Sequence, residues 1–218
     1  MLRLILGRAG TGKTALLFSE IAQRCARGQS GSFLIVPEQY SHEAERELAQ
    51  RCGDTASLYA EVLSFSRLAH RVAIGCGGSG RVYMDKPGRF LQLSLALEQM
   101  GGALTVYGGS ARSPEQMVQL LSALDELHFG CAAPDALRKA AGNATAALSD
   151  KLRDLALLQE ALDALSAQSG ADPAGRLDVL AAQLPDCTWL RGAKFYIDGF
   201  TDFTAQERRV IRALLPLA

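Results

Sequence analysis

The sequence predicts an α/β fold: a parallel β-sheet whose chain is interrupted by one long, all-helical insertion. Three observations carry that expectation. Short apolar runs alternate with amphipathic segments through the first third of the chain. From about Pro87 to Leu184 almost nothing reads as strand, and "KFYID" at residues 194–198 then restores one. Strand–helix alternation is the pattern of a parallel sheet with right-handed crossovers, and ligands of such sheets sit at the carboxyl ends of the strands.

In order along the chain, "LRLILG" at the start reads as a buried strand, and residues 13–27 read as a helix with apolar Leu16, Leu17 and Ile21. "SFLIVP" at 32–37 is a continuous apolar run, the composition of a strand covered on both faces. A helix rich in Glu, Ala, Arg and Leu follows over 41–52. A third strand over 60–65 leads into a short helix at 67–74. "GCGGSG" at 75–80 is a flexible break. Beyond it, "GRFLQLSLALEQM", "SPEQMVQLLSALDELHFG" and "ALSDKLRDLALLQEALDALSAQ" are helical. In the last of these, Leu148, Leu152, Leu155, Leu162 and Leu165 recur at three- and four-residue steps and form one apolar face. "SPEQ" at 113–116 supplies a cap, a first-turn proline and an acid for a helix N-terminus. "SGADPAG" at 169–175 is a second break, and "TAQERRVIRALLPLA" supplies a closing helix. The expected domains are therefore 1–80 with 187–218, bearing the sheet, and 81–186, the helical insertion.

The chain has 218 residues, 48% hydrophobic and 21% charged, which suits a folded globular protein with one large core or two small ones. No apolar run approaches the ~20 residues of a membrane-spanning helix. The apolar start is too short for a signal peptide and leads straight into a glycine loop, so the expected location is the cytoplasm, with no membrane partner. With 23 basic and 23 acidic residues the net charge is zero, which neither supports nor excludes a nucleic-acid partner. The five cysteines are scattered without a CxxC pair, and His42, His70 and His128 show no metal-like spacing. Reduced thiols in the core and ordinary packing or surface histidines are expected. Trp189 is expected as a packing anchor between the insertion and the sheet.

The chemistry is concentrated in two motifs. "GRAGTGKT" at 7–14 satisfies G-x-x-x-x-G-K-[ST] after an expected strand and at the start of an expected helix, the context of the phosphate-binding loop of P-loop NTPases. Gly7, Gly10 and Gly12 free the backbone to turn, so that the N–H groups of Gly7, Arg8, Ala9, Gly10, Thr11, Gly12, Lys13 and Thr14 can face phosphate oxygens. Lys13 would reach the β- and γ-phosphates of ATP, and the Thr14 hydroxyl would ligate Mg²⁺. The second motif is "FYIDGFTDF" at 195–203, which delivers Asp198 to a strand tip as a magnesium-orienting carboxylate. A turn or cap aspartate is the structural alternative. Many P-loop ATPases carry Glu directly after that Asp to prepare the attacking water; here the residue is Gly199. Losing a general base costs about 10²–10⁴-fold, so hydrolysis is expected to be weak or absent, with no catalytic residue assigned.

These residues also carry a resemblance. "GRAGTGKT", "LIVPEQYS", "VLSFSRLAHRV" and "YIDGFTDFTAQE" occur in the order seen in the first, RecA-like motor domain of UvrD-like helicases. More closely, the whole chain resembles the amino-terminal part of AddB-type subunits of bacterial helicase–nuclease complexes that process broken DNA ends, with the insertion at the position of the 1B subdomain. Active relatives read Asp-Glu-Phe-Gln-Asp in the late motif. "DGFTD" retains Asp198, Phe200 and Asp202 and places Gly199 where the Glu stands, as AddB-type sequences do. The resemblance implies an AddA-type helicase–nuclease partner, single- and double-stranded DNA ends as substrate, and a role in recombinational repair. It also implies a carboxy-terminal nuclease domain with an iron–sulfur cluster, expected only in a part of the protein outside these residues; the chain is thus expected to be a fragment.

By the same resemblance, residues 37–41 and 64–71 would line a single-strand channel. Gln39, Ser41 and Ser64 would bond phosphates, Phe65 would stack a base, and Arg67 and Arg71 would supply charge. The alternative is a core Phe65 with the arginines on a solvated helix face. Lys86 and Arg89 are weaker candidates. Two other functions remain open from the sequence: an independently active small P-loop ATPase or kinase, and a scaffold that binds neither nucleotide nor DNA.

Overall fold

The computed structural model describes residues 2–53, 55–76, 82–109 and 113–218. It separates into two units, residues 1–80 with 176–218 and residues 81–175. The expected domain boundary at 80/81 and most of the glycine break before it lie outside the described residues.

The first unit is built on a parallel sheet. Helix α1 (Lys13–Ala26) follows the glycine loop, and strand β1 (Ser32–Ile35) follows α1. Helix α2 (Ser41–Cys52), the short helix α3 (Ala56–Tyr59) and strand β2 (Ala60–Leu63) come next, then helix α4 (Phe65–Gly75). The strand order is β2-β1-β3, where β3 (Lys194–Ile197) returns late in the chain. Ser32 pairs with Ala60 on one side and Lys194 on the other; Ile35 pairs with Leu63 and Ile197. As the central strand, β1 is buried along its whole length, which is why its sequence is continuously apolar rather than alternating.

Side chains alternate across the sheet and sort the helices onto two faces. On one face, Leu34, Val36, Ala60 and Val62 meet Phe18 and Ile21 of α1 and Ala44 and Leu48 of α2. On the other, Phe33, Ile35 and Leu63 meet Leu68 and Val72 of α4, Leu180 of α9 (Arg176–Gln183), and Val210 and Leu214 of α10 (Ala205–Leu214). Local chemistry sets the helix starts. Ser64 accepts a hydrogen bond from the Arg67 N–H and caps α4. This cap ends the preceding strand at Leu63, so Phe65 begins a helix where the sequence suggests strand. Thr204 and Glu207 close a reciprocal capping box on α10.

Two expectations about this unit are corrected. Residues 2–6 form no strand: Leu2, Leu4 and Leu6 are 62%, 72% and 88% exposed, and no described strand pairs with them. Apolar alternation specifies a strand only when a neighbouring ladder takes up its backbone groups. Trp189 packs within the sheet unit, edge-on to Phe33 and beneath the Arg71 guanidinium. Its indole also covers Gly75, where an added Cβ would lie 2.5 Å from Trp189 Nε1. Gly75→Ala is therefore expected to destabilise the chain by about 1–3 kcal/mol through overpacking, read as a lower thermal midpoint with unchanged far-UV circular dichroism.

The second unit is helical. Helices α5 (Lys86–Met100), α6 (Pro114–Phe129), α7 (Pro134–Ala141) and α8 (Ala146–Ser169) enclose their own core of Leu93, Leu97, Leu120, Leu124 and Leu158. Asp85 caps α5 and Ser113 caps α6, each followed by a first-turn proline. Leu152, Leu155, Leu162 and Leu165 of the α8 stripe join this core, whereas Leu148 in the first turn is half exposed. The connection from α5 to α6 is held by one buried carboxylate. Asp154, 2% exposed, accepts hydrogen bonds from the N–H groups of Thr105, Val106 and Tyr107 at 3.0, 2.7 and 3.0 Å.

Candidate functional site

Gly10 and Gly12 adopt φ values of +76° and +82°, the left-handed region that glycine reaches without strain, and Gly12 opens α1. The turn is held from within: Thr11 Oγ1 donates to the Arg8 carbonyl at 2.8 Å. Lys13 Nζ folds back over the loop and donates to the carbonyls of Gly7 at 2.9 Å and Arg8 at 2.7 Å. The lysine charge is thus already inside the curve of the loop, supported by neutral acceptors that leave its charge uncancelled.

Asp198 stands just past the tip of β3, and its N–H donates to the Ile35 carbonyl at 3.1 Å. Thr14 Oγ1 donates to Asp198 Oδ2 at 2.6 Å. Two motifs 184 positions apart in sequence therefore meet as one pair of hard oxygens. Mg²⁺ prefers such ligands, usually with several waters retained. Loop and aspartate border an open cleft of about 630 Å³, whose far wall is α2 with Glu43, Glu47 and Arg51. Glu47 is ion-paired to Arg51 at 2.5 Å. Reading motifs alone misses Glu43 and gives Tyr40 a place only in the expected DNA channel of residues 37–41. Both lie just after "VPEQ", and only the fold turns them toward the glycine loop.

Gly199 has φ +81°, and a Cβ there would lie 3.3 Å from Cδ of Pro37. Glycine at this position is thus required by the backbone as well as being unable to supply a carboxylate. A side chain in the left-handed region costs about 1–2 kcal/mol. We expect Gly199→Glu to lower the thermal midpoint and to leave ATP turnover at background. A phosphate-release assay beside a melting curve checks both.

A second cleft, about 370 Å³, lies at the carboxyl ends of all three strands and is lined by Pro37, Gln39, Ser64, Phe65, Gly199 and Phe200 among others. The residues expected to contact DNA divide here. Gln39 is exposed and lines the cleft. Ser64 lines it too, but its hydroxyl serves as the α4 cap. Phe65 is a core residue, 5% exposed and packed on the Phe200 ring at 5.4 Å, with little free face for a base. Ser41 is buried in the first turn of α2. Arg67 is ion-paired to Glu45 at 2.6 Å and Arg71 to Glu61 at 3.5 Å. In the helical unit, Arg89 is held between Asp125 and Asp172.

Among the described residues no cluster of His, Cys, Asp or Glu is arranged to hold a metal ion by itself, and all five cysteines are free thiols. Burial, with Cys76 close by, pushes the Cys187 thiol up to about 12; burial beside Cys25 pushes Cys52 up to about 11. Both stay protonated at neutral pH, unsuited to nucleophilic or ligand roles. No helix among the described residues is long and apolar enough to cross a membrane.

The family described as "ADDB, N-terminal" matches residues 4–218, almost the whole chain. The chain belongs to this AddB amino-terminal family. It is 38% identical over 223 residues to the B subunit of the ATP-dependent helicase/deoxyribonuclease of Desulforamulus reducens, covering all of this chain and 19% of that protein. The corresponding protein of Moorella thermoacetica is 36% identical over 225 residues, covering all of this chain and 20% of the relative. That of Heliobacterium modesticaldum is 38% identical over 225 residues, covering 98% of this chain and 18% of the relative. This AddB amino-terminal chain thus spans about a fifth of the length of the curated relatives it matches.

Proposed function

We propose that this chain is the nucleotide-binding, hydrolysis-poor, helicase-like module of a helicase–nuclease complex that processes DNA double-strand breaks for recombinational repair. The observation that carries the reading is the Thr14–Asp198 contact beside a glycine loop that already encloses the Lys13 charge, with Gly199 next to the aspartate. In this reading the sheet unit is a RecA-like P-loop fold. The loop amides and Lys13 hold the phosphates of ATP, the Thr14 hydroxyl ligates Mg²⁺, and Asp198 orients the ion through its water shell. The metal supplies charge neutralisation at the phosphates. No side chain at 199 readies a water, so the nucleotide acts as a ligand that stabilises one conformation.

The relatives are named as one subunit of an ATP-dependent helicase/deoxyribonuclease. Those names support a partner chain and a complex that acts on DNA; we take the partner to be of the AddA type, the substrate to be DNA ends and the location to be the cytoplasm. DNA contact by this chain would require Arg67 and Arg71 to exchange Glu45 and Glu61 for phosphates. Surface ion pairs are worth only about 0–1 kcal/mol, so the exchange is inexpensive.

The test is titration with a fluorescent ATP analogue and Mg²⁺, run beside a phosphate-release assay. Saturable binding with background turnover is expected. Turnover that is lost in Glu43→Gln would instead identify an acid on α2 as a working base and make the chain an independent ATPase. Absence of binding would leave a scaffold.

A further inference from the structure

Four of the five cysteines stand in two pairs whose members are far apart in the sequence. Cys25 of α1 and Cys52 at the end of α2 lie within hydrogen-bonding reach of one another, and so do Cys76 and Cys187. The pairs differ in access. Cys25 is buried and Cys52 partly buried, whereas Cys76 is exposed at the end of α4, beside a buried Cys187.

The backbone holds both members of the second pair in place. Cys76 N–H donates to the Val72 carbonyl at 2.9 Å and closes the last turn of α4. Cys187 lies between two short 3₁₀ turns, Leu184–Asp186 and Thr188–Leu190. Its N–H donates to the Leu184 carbonyl at 3.0 Å, and its carbonyl accepts from Leu190 N–H at 3.2 Å. Its Sγ donates to the Gln183 carbonyl at 3.4 Å. Val72, Cys187 and Leu190 share one core, and the indole of Trp189 fills the space that a side chain at Gly75 would take. The two sulfurs therefore meet because the end of α4 rests on the turns that precede β3.

We propose that Cys76 and Cys187 are an oxidation site: a low-molecular-weight disulfide converts them to a reversible disulfide that staples the end of α4 to the segment leading into β3. Cys76 loses its proton to water and attacks one sulfur of the oxidant. The oxidant's S–S bond breaks, one half stays on Cys76 as a mixed disulfide, and the other half leaves as a thiolate. Cys187 then loses its proton and attacks the Cys76 sulfur, forming the protein S–S bond and expelling the second half. Two protein thiols give up two electrons and two protons, and one small disulfide becomes two thiols. Burial, then the neighbouring Cys76 and Asp186, push the Cys187 thiol up to about 12, so the second attack sets the pace. Contact offsets part of that, since well-aligned groups held together react as though at about 10⁵ M or more. The closed ring takes in residues 77–186 and with them the whole helical unit. A cross-link over so long a loop removes much freedom from the unfolded chain. In a reducing compartment such a bond is transient and reports oxidation. Nucleotide plays no part: Cys187 belongs to the core on the α4 side of the sheet, and α1 lies on the other.

The experiment treats the reduced chain with oxidised glutathione near neutral pH and in mild alkali, quenches with acid, and maps the cysteines by mass spectrometry without reduction. Glutathione should appear on Cys76 first, and the Cys76–Cys187 bond should then grow at its expense, about tenfold faster for each pH unit gained. The oxidised chain should melt about 5 °C or more above the reduced one, and dithiothreitol should reverse the shift. Cys76→Ser removes only an exposed thiol, so it should melt like the reduced wild type and leave Cys187 unmodified under the same oxidant. Four results would each overturn the proposal: an adduct on Cys76 that never passes to Cys187, a Cys25–Cys52 bond in its place, a bond between two chains, or loss of the Cys187 thiol in Cys76→Ser. A mapped Cys76–Cys187 bond that fails to raise the melting temperature would also sink it, because the staple would then hold nothing.

Discussion

Lys13→Ala is expected to remove half or more of the thermal stabilisation that ATP·Mg²⁺ confers on the wild-type chain. A ligand that binds only the folded state at a concentration 100 times its dissociation constant adds about 2.7 kcal/mol. The ammonium of Lys13 is the only side-chain cation that the structure places within the curve of the loop, among the described residues, and it is held by the Gly7 and Arg8 carbonyls. A hydrogen bond to a charged group is worth about 1.5–3 kcal/mol, so its loss weakens binding by roughly 10–150-fold. At the same ATP concentration about half to nine-tenths of the stabilisation disappears. Without nucleotide the variant should melt close to the wild type, because both bonds made by Lys13 are exposed. Thr14→Ala should differ in kind: it removes the contact to Asp198, so its deficit appears with Mg²⁺ and shrinks when the metal is chelated. Equal shifts for wild type and Lys13→Ala would show that nucleotide does not use this loop.

The largest effect on stability is expected at Asp154→Ala, in the helical unit. The wild-type carboxylate is buried and accepts three backbone N–H groups. Alanine leaves all three donors, two of them on the exposed residues Thr105 and Val106, without their acceptor, and losing hydrogen bonds to a charged group costs about 1.5–3 kcal/mol. Asp154→Asn should fall between, since the amide keeps an acceptor oxygen but turns an NH₂ toward donors. The Tyr107 phenol, pushed up by burial and then by the Asp154 charge, should titrate closer to its ordinary value in the alanine variant. Urea unfolding followed by circular dichroism measures the loss, and amide exchange at 105–107 localises it. A change below about 0.5 kcal/mol would be the size of an ordinary surface substitution and would show that the loop holds itself.

Much of the sheet unit is legible in the sequence because its signals are local. Continuous apolar character marks β1, Ser64 and Thr204 cap helices, and "GRAGTGKT" forms its turn with glycines at the two positive-φ positions. The approach of Asp198 to Thr14 follows from the pairing of motifs, and the structure brings the two side chains together. What the sequence hides depends on partners far along the chain. The alternation of "LRLILG" is strand-like, but pairing is a property of the neighbour. Trp189 is aromatic and central, but which core it enters is settled by Phe33 and Arg71. The ion pairs at Arg67 and Arg71 are likewise invisible there, since Glu45 and Glu61 become neighbours only once α2, β2 and α4 are assembled.

The meeting of Gly199 with Pro37 makes these two positions a coupled pair. An acid installed at 199 by itself inherits a left-handed backbone and a proline ring in its path, and a change at 37 by itself gives up packing for no gain. Energies of the single changes will not sum to that of the double change. An acid side chain at 199 therefore calls for remodelled turns after two adjacent strands, β1 and β3, at the same time.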